Sequence, residues 1–395
     1  VTIKTLVISN LYPNREFPRH GIFTEHRMRN MAGSGRVDMR VLSPVPWFPL
    51  RRERFGTYGA HARVPEREIR HGIEVRYPRF PVIPKVGMSL SGLLLALALV
   101  GPVRRLIREG FDFELIDAYY FYPDGVAAAL LGRWLNKPVV ITAYGNDLSL
   151  IADYALPRWQ IRWAAGRAAG MTTVCQALKD RLVALGADER RVKVVLHGVD
   201  LELFQPPTDR AALRAELGIE PPTLLSVGHL IERKGHHFVI EALRELPDMG
   251  LIIAGDGEEL PRLRVLAHDC GVSDRVRFLG HVDQSRLPDY YGAADALVLA
   301  SSREGIANVM MEALACGTPV VATAVWGAPE VITDPVAGVL IDQRSGAGVA
   351  AGVRQLFAHR PERAATRRFV ERYTWEQTTA DHLAVFDAVL NRASD

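Results

Sequence analysis

The chain has 395 residues, of which 48% are hydrophobic and 24% charged, with a formal net charge of +3. That length holds two ordinary domains with sizeable cores, and the composition excludes a disordered chain, a low-complexity array and a dedicated nucleic-acid binder. The three cysteines (Cys175, Cys270 and Cys316) are odd in number and widely spaced, which points to a reducing compartment with neither a disulfide framework nor a zinc cluster.

The stretch from Val1 to Ser9 is already strand-like, which leaves no room for a signal peptide and favours a cytoplasmic α/β enzyme. Strands are expected at Lys4–Ser9, Asp38–Leu42, Glu114–Asp117, Val139–Thr142, Thr172–Val174 and Val192–Val195. A second series follows at Thr223–Val227, Gly250–Ala254, Val276–Leu279, Ala296–Ala300 and Val320–Thr323. Helical segments alternate with these runs, the pattern of parallel sheets covered by helices on both faces. The two series meet near Pro206-Pro207, so domains are expected over 1–203 and 204–375. The hinge is expected in Leu203–Pro222, which carries Pro206, Pro207, Pro221 and Pro222. Tyr373–Asp395 reads as a C-terminal helix.

Between the early strands, Val86–Val103 carries no charge and is interrupted by Gly87, Gly92, Gly101 and Pro102. A membrane span needs about 20 apolar residues. The run is therefore expected as a buried helix; the alternative is an apolar surface that touches a membrane beside Arg104, Arg105 and Arg108.

The most informative segment is Ser301–Val321. A strand ends at Ala300, a loop carries Glu304 and Gly305, and a helix is predicted from Asn308 to Cys316, with Gly317 placed to end it. Glu304 precedes the helix and Glu312 lies one turn inside it, with backbone N–H groups between them. A helix start suits a phosphate, and flanking carboxylates suit sugar and ribose hydroxyls. Gly305, Asn308, Ala315, Gly317, Thr318 and Pro319 complete the pattern. The pattern resembles the signature of the family-4 retaining glycosyltransferases of the GT-B fold, two Rossmann-like domains facing each other across a cleft.

The resemblance spans most of the chain and is strongest over Thr223–Glu330. It implies that the C-terminal helix, 376–395, returns to an N-terminal acceptor-binding domain, and that 204–375 binds the nucleotide-sugar donor. Lys234, in Ser226–Gly235, matches the lysine that neutralises the donor diphosphate. Gly228 turns the strand end, and Arg233 is a second cation there. His229 stands where the family has an arginine, so the charge at that position rests on a protonated imidazole or passes to Arg233. Glu304 falls on the residue that holds donor-sugar hydroxyls and Glu312 on the ribose ligand. Backbone groups of Gly305, Ile306 and Ala307 line the sugar, and Asn308 and Val309 approach the phosphates. Gly280 and Val282 lie in the segment facing the base.

In the N-terminal half, Gly21 lets main chain approach the donor phosphate, next to Phe17-Pro18-Arg19-His20. Tyr122 and Asp147, with His20, are acceptor candidates. Thr142–Asp147 resembles a motif whose histidine is here Tyr144, a phenol that is a poor base at neutral pH. His197–Asp200 resembles a domain-junction turn, with histidine for asparagine.

The implied reaction is transfer of a hexosyl unit, with retention, from a nucleoside-diphosphate sugar to a hydroxyl of a glycan or lipid-linked saccharide. UDP is favoured over GDP-mannose on family frequency, and bacterial exopolysaccharide or lipopolysaccharide synthesis is the expected setting. No aspartate-any-aspartate motif occurs, so neither a metal nor another cofactor is expected, and no nucleic acid. The expected location is cytoplasmic or peripheral on the inner face of the membrane. Rival readings are a nucleotide-sugar 2-epimerase of the same fold and a non-catalytic nucleotide-sugar-binding module. A nicotinamide dehydrogenase is more distant, because Gly255-Asp256-Gly257 lacks the third glycine of a dinucleotide fingerprint.

Overall fold

The computed structural model describes residues 2–82, 89–220 and 222–392, and the backbone of 393 and 394. Val1, Pro221, Asp395 and the first three residues of the apolar run 86–103 lie outside the described residues. The chain divides into two compact units, Val1–Leu196 with Trp375–Asp395, and His197–Thr374. The stretch expected as a hinge, 203–222, therefore belongs to the second unit. Phe204 is buried in that unit's core, its ring centroid 6.0 Å from that of Tyr291.

The first unit holds β1 (Ile3–Ile8), β2 (Val37–Leu42), β3 (Val45–Pro46), β4 (Arg67–Arg70), β5 (Ile73–Arg76), β6 (Arg79–Phe80), β7 (Leu115–Tyr119), β8 (Val139–Ala143), β9 (Gly170–Thr173) and β10 (Val192–Val194). Eight of them form one sheet in the order β10-β9-β8-β7-β1-β2-β5-β4, while β3 and β6 pair separately. The central strands are buried on both faces, which is why Leu115–Tyr119 and Val139–Ala143 read as unbroken apolar runs. The expectation of wholly parallel sheets needs one correction. β4 pairs antiparallel with β5 at the edge, and its Arg-Glu-Ile-Arg sequence keeps charge on an otherwise open strand.

The C-terminal helix, Trp375–Ser394, packs on this unit, and His382 is its buried anchor. His382 Nδ1 lies 3.3 Å from Arg27 Nη1, and Nε2 lies 3.4 Å from both Tyr119 Oη and Asp117 Oδ2. Arg27 Nη2 also donates to the Val195 carbonyl at 3.1 Å. One buried guanidinium thus ties the first helix, Ile22–Gly33, to the C-terminal helix and to the end of β10.

The apolar run continues as the helix Ser91–Arg108. Leu95, Leu99, Val103 and Leu106 are buried, as expected of a core helix, yet Leu93 and Leu97 are 43% and 56% exposed. Among the described residues no helix is long and apolar enough to cross a membrane.

The second unit holds β11 (Thr223–Val227), β12 (Gly250–Ala254), β13 (Val276–Gly280), β14 (Ala296–Leu299), β15 (Val320–Thr323) and β16 (Gly338–Ile341), all parallel, in the order β13-β12-β11-β14-β15-β16. Alternate residues feed two cores: Leu225, Val227, Leu297 and Leu299 face one, while Leu224, Ile253, Val298 and Val321 face the other. Met310, Met311 and Leu314 of the helix Asn308–Ala315 fill the first.

Asp295, just before β14, gathers charge for this unit. Its carboxylate accepts from Arg210 Nη2 at 2.9 Å, Arg214 Nη1 at 3.1 Å and the Thr223 N–H at 2.8 Å. Burial pushes the Asp295 carboxyl up, but the Thr223 N–H and the two guanidiniums outweigh it and hold it below the usual range. A depressed carboxyl stabilises the fold above its unfolded pKa and loses that contribution as pH falls through the folded value. Asp295→Asn is expected to cost about 3 kcal/mol at neutral pH, the range for removing one partner of a buried ion pair. The deficit should shrink steadily below about pH 4 in paired denaturation curves.

Candidate active site

In each sheet the strand order reverses once, and there the loops at the carboxyl ends of two adjacent strands splay apart to leave a crevice. In the second unit the reversal lies between β11 and β14. The loop after β11 carries Gly228–Gly235, and the loop after β14 carries Ser301–Ala307.

Lys234 and Glu304 meet at this crevice. Lys234 Nζ lies 2.6 Å from Glu304 Oε1, with the side chains only 15% and 11% exposed. Ser301 Oγ donates to the same oxygen at 2.9 Å, and Arg233 Nη1 lies 3.3 Å from it. Burial pushes the Glu304 carboxyl up, but Lys234 and then Arg233 outweigh it and hold it below the usual range. Glu304 is therefore an anion at neutral pH, flanked by two cations. Lys234 is not a solvated surface lysine; its stem runs past Gly228, where an added Cβ would stand 3.6 Å from Cε.

The neighbouring loops are locked by backbone contacts. Gly255 has φ +150°, and a Cβ there would stand 1.9 Å from the Gly228 carbonyl oxygen. The Gly255–Gly257 turn is therefore a close-packed support for the 228–230 loop. Leu230 N–H donates to the Asp256 carbonyl at 2.8 Å. Gly280 closes the far side, its carbonyl accepting from Gly255 N–H at 2.7 Å, and Val282 packs against the core. Gly305 accepts from Gly327 N–H at 3.1 Å, and Ala307 is buried. Asn308 and Val309 open their helix without a side-chain cap. His229 is exposed on the loop between Gly228 and Leu230.

Glu312 sits apart from the Lys234–Glu304 pair. Tyr291 Oη donates to its Oε2 at 2.8 Å. Burial pushes the Glu312 carboxyl up to about 7, and the tyrosine hydrogen bond only partly offsets this.

Four residues for which the sequence suggested no role complete the site. Ser301 and Tyr291 are the partners just described. Arg344 clamps the Lys234 loop from behind, donating to the carbonyls of Ala300 at 2.9 Å and Glu232 at 2.8 Å. His236 is buried with Nδ1 2.8 Å from Ser226 Oγ, and burial, then the Lys234 charge, pull it down to about 4, so it is neutral. Arg344 and Tyr291 leave no local signal, since each bonds a group distant in sequence. Ser301 opens the segment that the sequence singled out, where nothing marked it as a partner of Glu304.

In the first unit the order reverses between β1 and β7. Asn10 N–H, after β1, reaches Asp124 Oδ1, after β7, at 3.3 Å. Gly21 has φ +71°, and a Cβ there would stand 2.2 Å from the Leu11 backbone, so only glycine fits. His20 Nε2 lies 3.0 Å from the Asn10 carbonyl oxygen, and burial lowers its pKa. Two of the acceptor candidates, Asp147 and Tyr122, are buried, at 0% and 2% exposed. Asp147 accepts from the N–H groups of Phe121 at 2.9 Å and Gly145 at 2.8 Å and so shapes the loops after β7 and β8. Tyr144 is 9% exposed, with its ring centroid 4.8 Å from that of Phe23. Burial drives its phenol up to about 12, against a smaller opposing pull from Arg27. Among the described residues no group of three or more metal-ligating side chains occurs.

Two Rossmann-like units, one on a mainly parallel sheet and one on a wholly parallel sheet, are the architecture of the GT-B class of glycosyltransferase. The pattern of Glycosyltransferase Family 4 matches residues 13–203, and that of Glycosyl transferases group 1 matches residues 209–372. A D-inositol 3-phosphate glycosyltransferase of Xylanimonas cellulosilytica is 33% identical over 84% of this chain and 85% of its own. The putative teichuronic acid biosynthesis glycosyltransferase TuaC of Bacillus subtilis is 29% identical over 82% of both. Among solved structures, sucrose-phosphate synthase from Thermosynechococcus elongatus superposes with a TM-score of 0.78 at 19% identity, covering 99% of this chain and 100% of its own. Anabaena HepE, solved in complex with UDP-glucose, superposes at 0.70 with 20% identity, covering 97% of this chain and 99% of its own. The chain belongs to the family 4 glycosyltransferases.

The raised Glu312 carboxyl has a measurable consequence for stability. A carboxyl with a raised folded pKa stabilises the fold while protonated and loses that contribution as pH rises from its unfolded value, about 4.3, to its folded one. Glu312→Gln keeps the neutral form and can still accept from Tyr291. Its thermal midpoint relative to the parent is expected to climb between about pH 5 and pH 7 and then level off.

Proposed function

We propose that this protein is a retaining hexosyltransferase that takes a nucleoside-diphosphate sugar, UDP-linked in preference to GDP-linked, and glycosylates a hydroxyl of a glycan or lipid-linked saccharide. The observation that carries the reading is the Lys234–Glu304 pair at the strand reversal, beside an uncapped helix start at Asn308. A diphosphate placed there meets Lys234, Arg233 and the helix dipole, each of which gains strength as the leaving group accumulates charge. Glu304, held ionised, accepts hydrogen bonds from donor-sugar hydroxyls, and Glu312 takes the ribose. Gly305, Ile306 and Ala307 supply main chain to the sugar, and Gly280 and Val282 supply it to the base. The solved relative with bound UDP-glucose supports the donor class. The inositol-phosphate and teichuronic acid names of the relatives support a saccharide or polyol acceptor and a place in bacterial surface-glycan synthesis.

In this reading Gly21 brings main chain to the donor phosphate, Tyr144 stands at the position that faces the reacting sugar, and His20 belongs to the acceptor side. A phenol driven up to about 12 stays protonated at neutral pH, so Tyr144 donates a hydrogen bond and takes no proton. The acceptor proton then passes to a donor phosphate oxygen as the glycosidic bond breaks.

The test is a panel of nucleotide-sugars screened by thermal shift, followed by NMR of the product formed with the stabilising donor. The expected product has a new glycosidic bond with the donor's anomeric configuration. Inversion would overturn the retaining mechanism, and a free epimerised sugar would establish the epimerase instead. Tyr144→Phe is expected to keep turnover within about a hundredfold of the parent, the lower range of general acid–base effects. Complete loss with donor binding intact would make the hydroxyl essential.

A further inference from the structure

A cavity of about 1170 Å³ opens in the first unit, away from the strand reversal of its sheet. Its walls come from the segment after β3, the helix Gly56–Arg63, the edge strands β4 and β5, the segment entering β6, and the last turns of the helix Ser91–Arg108. Among the described residues it is lined by seven arginines and two glutamates, a formal excess of five positive charges.

Four of these arginines are ion-paired, sharing three carboxylates between them. Arg63 pairs with Glu16, Arg67 with Glu74, Arg76 with Glu74 and Glu109, and Arg105 with Glu109. Arg51, Arg79 and Arg108 have no ion pair among the described residues. Arg79 is the most telling of the three. Its Nη2 donates to the Val64 carbonyl, while its Nη1 is buried without a hydrogen-bond partner. Burial, and then the charge of Arg51, pull the Arg79 pKa down, with only Glu66 opposing. Like charges held together in a partly dry wall are costly without an anion to bridge them.

The rest of the lining is apolar, with Trp47 and Phe48 at one side. The helix Ser91–Arg108 extends that character outward. Leu93, Leu97, Gly101, Arg104 and Arg108 follow at spacings of four and three, so they share one face, and all are exposed. Gly101 and Arg108 line the cavity. One exposed stripe therefore runs from two leucines, with Leu90 beyond them, into the arginine cavity. The apolar stretch from residue 90 to 101 spans roughly 16 Å at 1.5 Å per residue.

We infer that this cavity binds the phosphate or diphosphate head of a single amphiphile, with Arg51, Arg79 and Arg108 on the anion and its hydrocarbon chain along Leu97 and Leu93. The lengthwise separation of charge from apolar surface favours such a molecule over inorganic phosphate, which would leave the leucine track unused. The inference needs no sugar transfer and stands apart from the Lys234–Glu304 pair, which lies in the second unit.

The test is calorimetric titration of the full chain with geranyl diphosphate, with UDP present in saturating amount to occupy the donor site. Inorganic pyrophosphate and geraniol serve as controls. Geranyl diphosphate is expected to bind at least about tenfold more tightly than either control. Arg79→Gln and Arg51→Gln should each raise its Kd about tenfold and leave UDP binding unchanged. Arg51 is exposed, so its variant guards against a folding defect at Arg79. Leu97→Asp should weaken geranyl diphosphate and leave pyrophosphate unaffected. Equal affinity for pyrophosphate and geranyl diphosphate would reduce the cavity to an anion site and overturn the inference. So would geranyl diphosphate binding that ignores both arginine variants. Adsorption to phosphatidylglycerol vesicles with no binding of geranyl diphosphate would also overturn it, in favour of a bilayer surface.

Discussion

The structure turns on one ion pair. Lys234 and Glu304 come from loops 70 residues apart and meet at 2.6 Å where the second sheet reverses its strand order. A pair this enclosed is costly to desolvate unless further polar groups surround it. Ser301, Arg233 and the loop clamp at Arg344 supply that surround. The arrangement places an anion and two cations side by side before any ligand arrives. In the proposed function an incoming diphosphate competes with Glu304 for Lys234, and Glu304 is freed to take hydroxyl hydrogen bonds as the lysine shifts toward phosphate. In this reading the sugar end and the phosphate end of a donor are recognised by one shared contact.

The first unit solves a related problem with buried carboxylates. Asp124 and Asp147 hold backbone N–H groups of the loops after β1, β7 and β8, and burial raises both carboxyls. They shape the carboxyl edge of the sheet from within the fold. Arg27 and His382 do the same for the chain's end, holding the final helix against β7 and the first helix. Charge at the strand reversal of this unit serves the architecture, whereas Arg51, Arg79 and Arg108 of the cavity by the sheet edge have no ion pair among the described residues.

Legibility followed burial and locality. Thr223–Val227, Gly250–Ala254 and Val320–Thr323 were read with the bounds the structure has, because strands buried on both faces are continuous apolar runs. The pair β4 and β5 went unread because Arg-Glu-Ile-Arg and Ile-Glu-Val-Arg look like solvated chain, and only pairing at a sheet edge makes them strands. Prolines at 206, 207 and 222 suggested a hinge, but the division falls at Leu196, where composition gives no mark. The sequence pointed to Lys234, Glu304 and Glu312 because their spacing lies within two short loops and a helix, and the structure brings Lys234 and Glu304 into contact. It did not point to Arg344 or Tyr291, since a lone arginine or tyrosine carries no trace of the distant group it bonds. For Asp147 and Tyr122, only the fold shows the backbone amides around the one and the burial of the other.

The most direct measurement of the central claim is the Kd of UDP, without a sugar, for the parent, Lys234→Ala and Glu304→Gln. If Glu304 competes with the diphosphate for Lys234, the glutamine variant binds UDP more tightly than the parent while the alanine variant binds it about tenfold or more weakly, the scale of a charged hydrogen bond. Weaker UDP binding in both variants would contradict the shared contact and make the pair a structural brace.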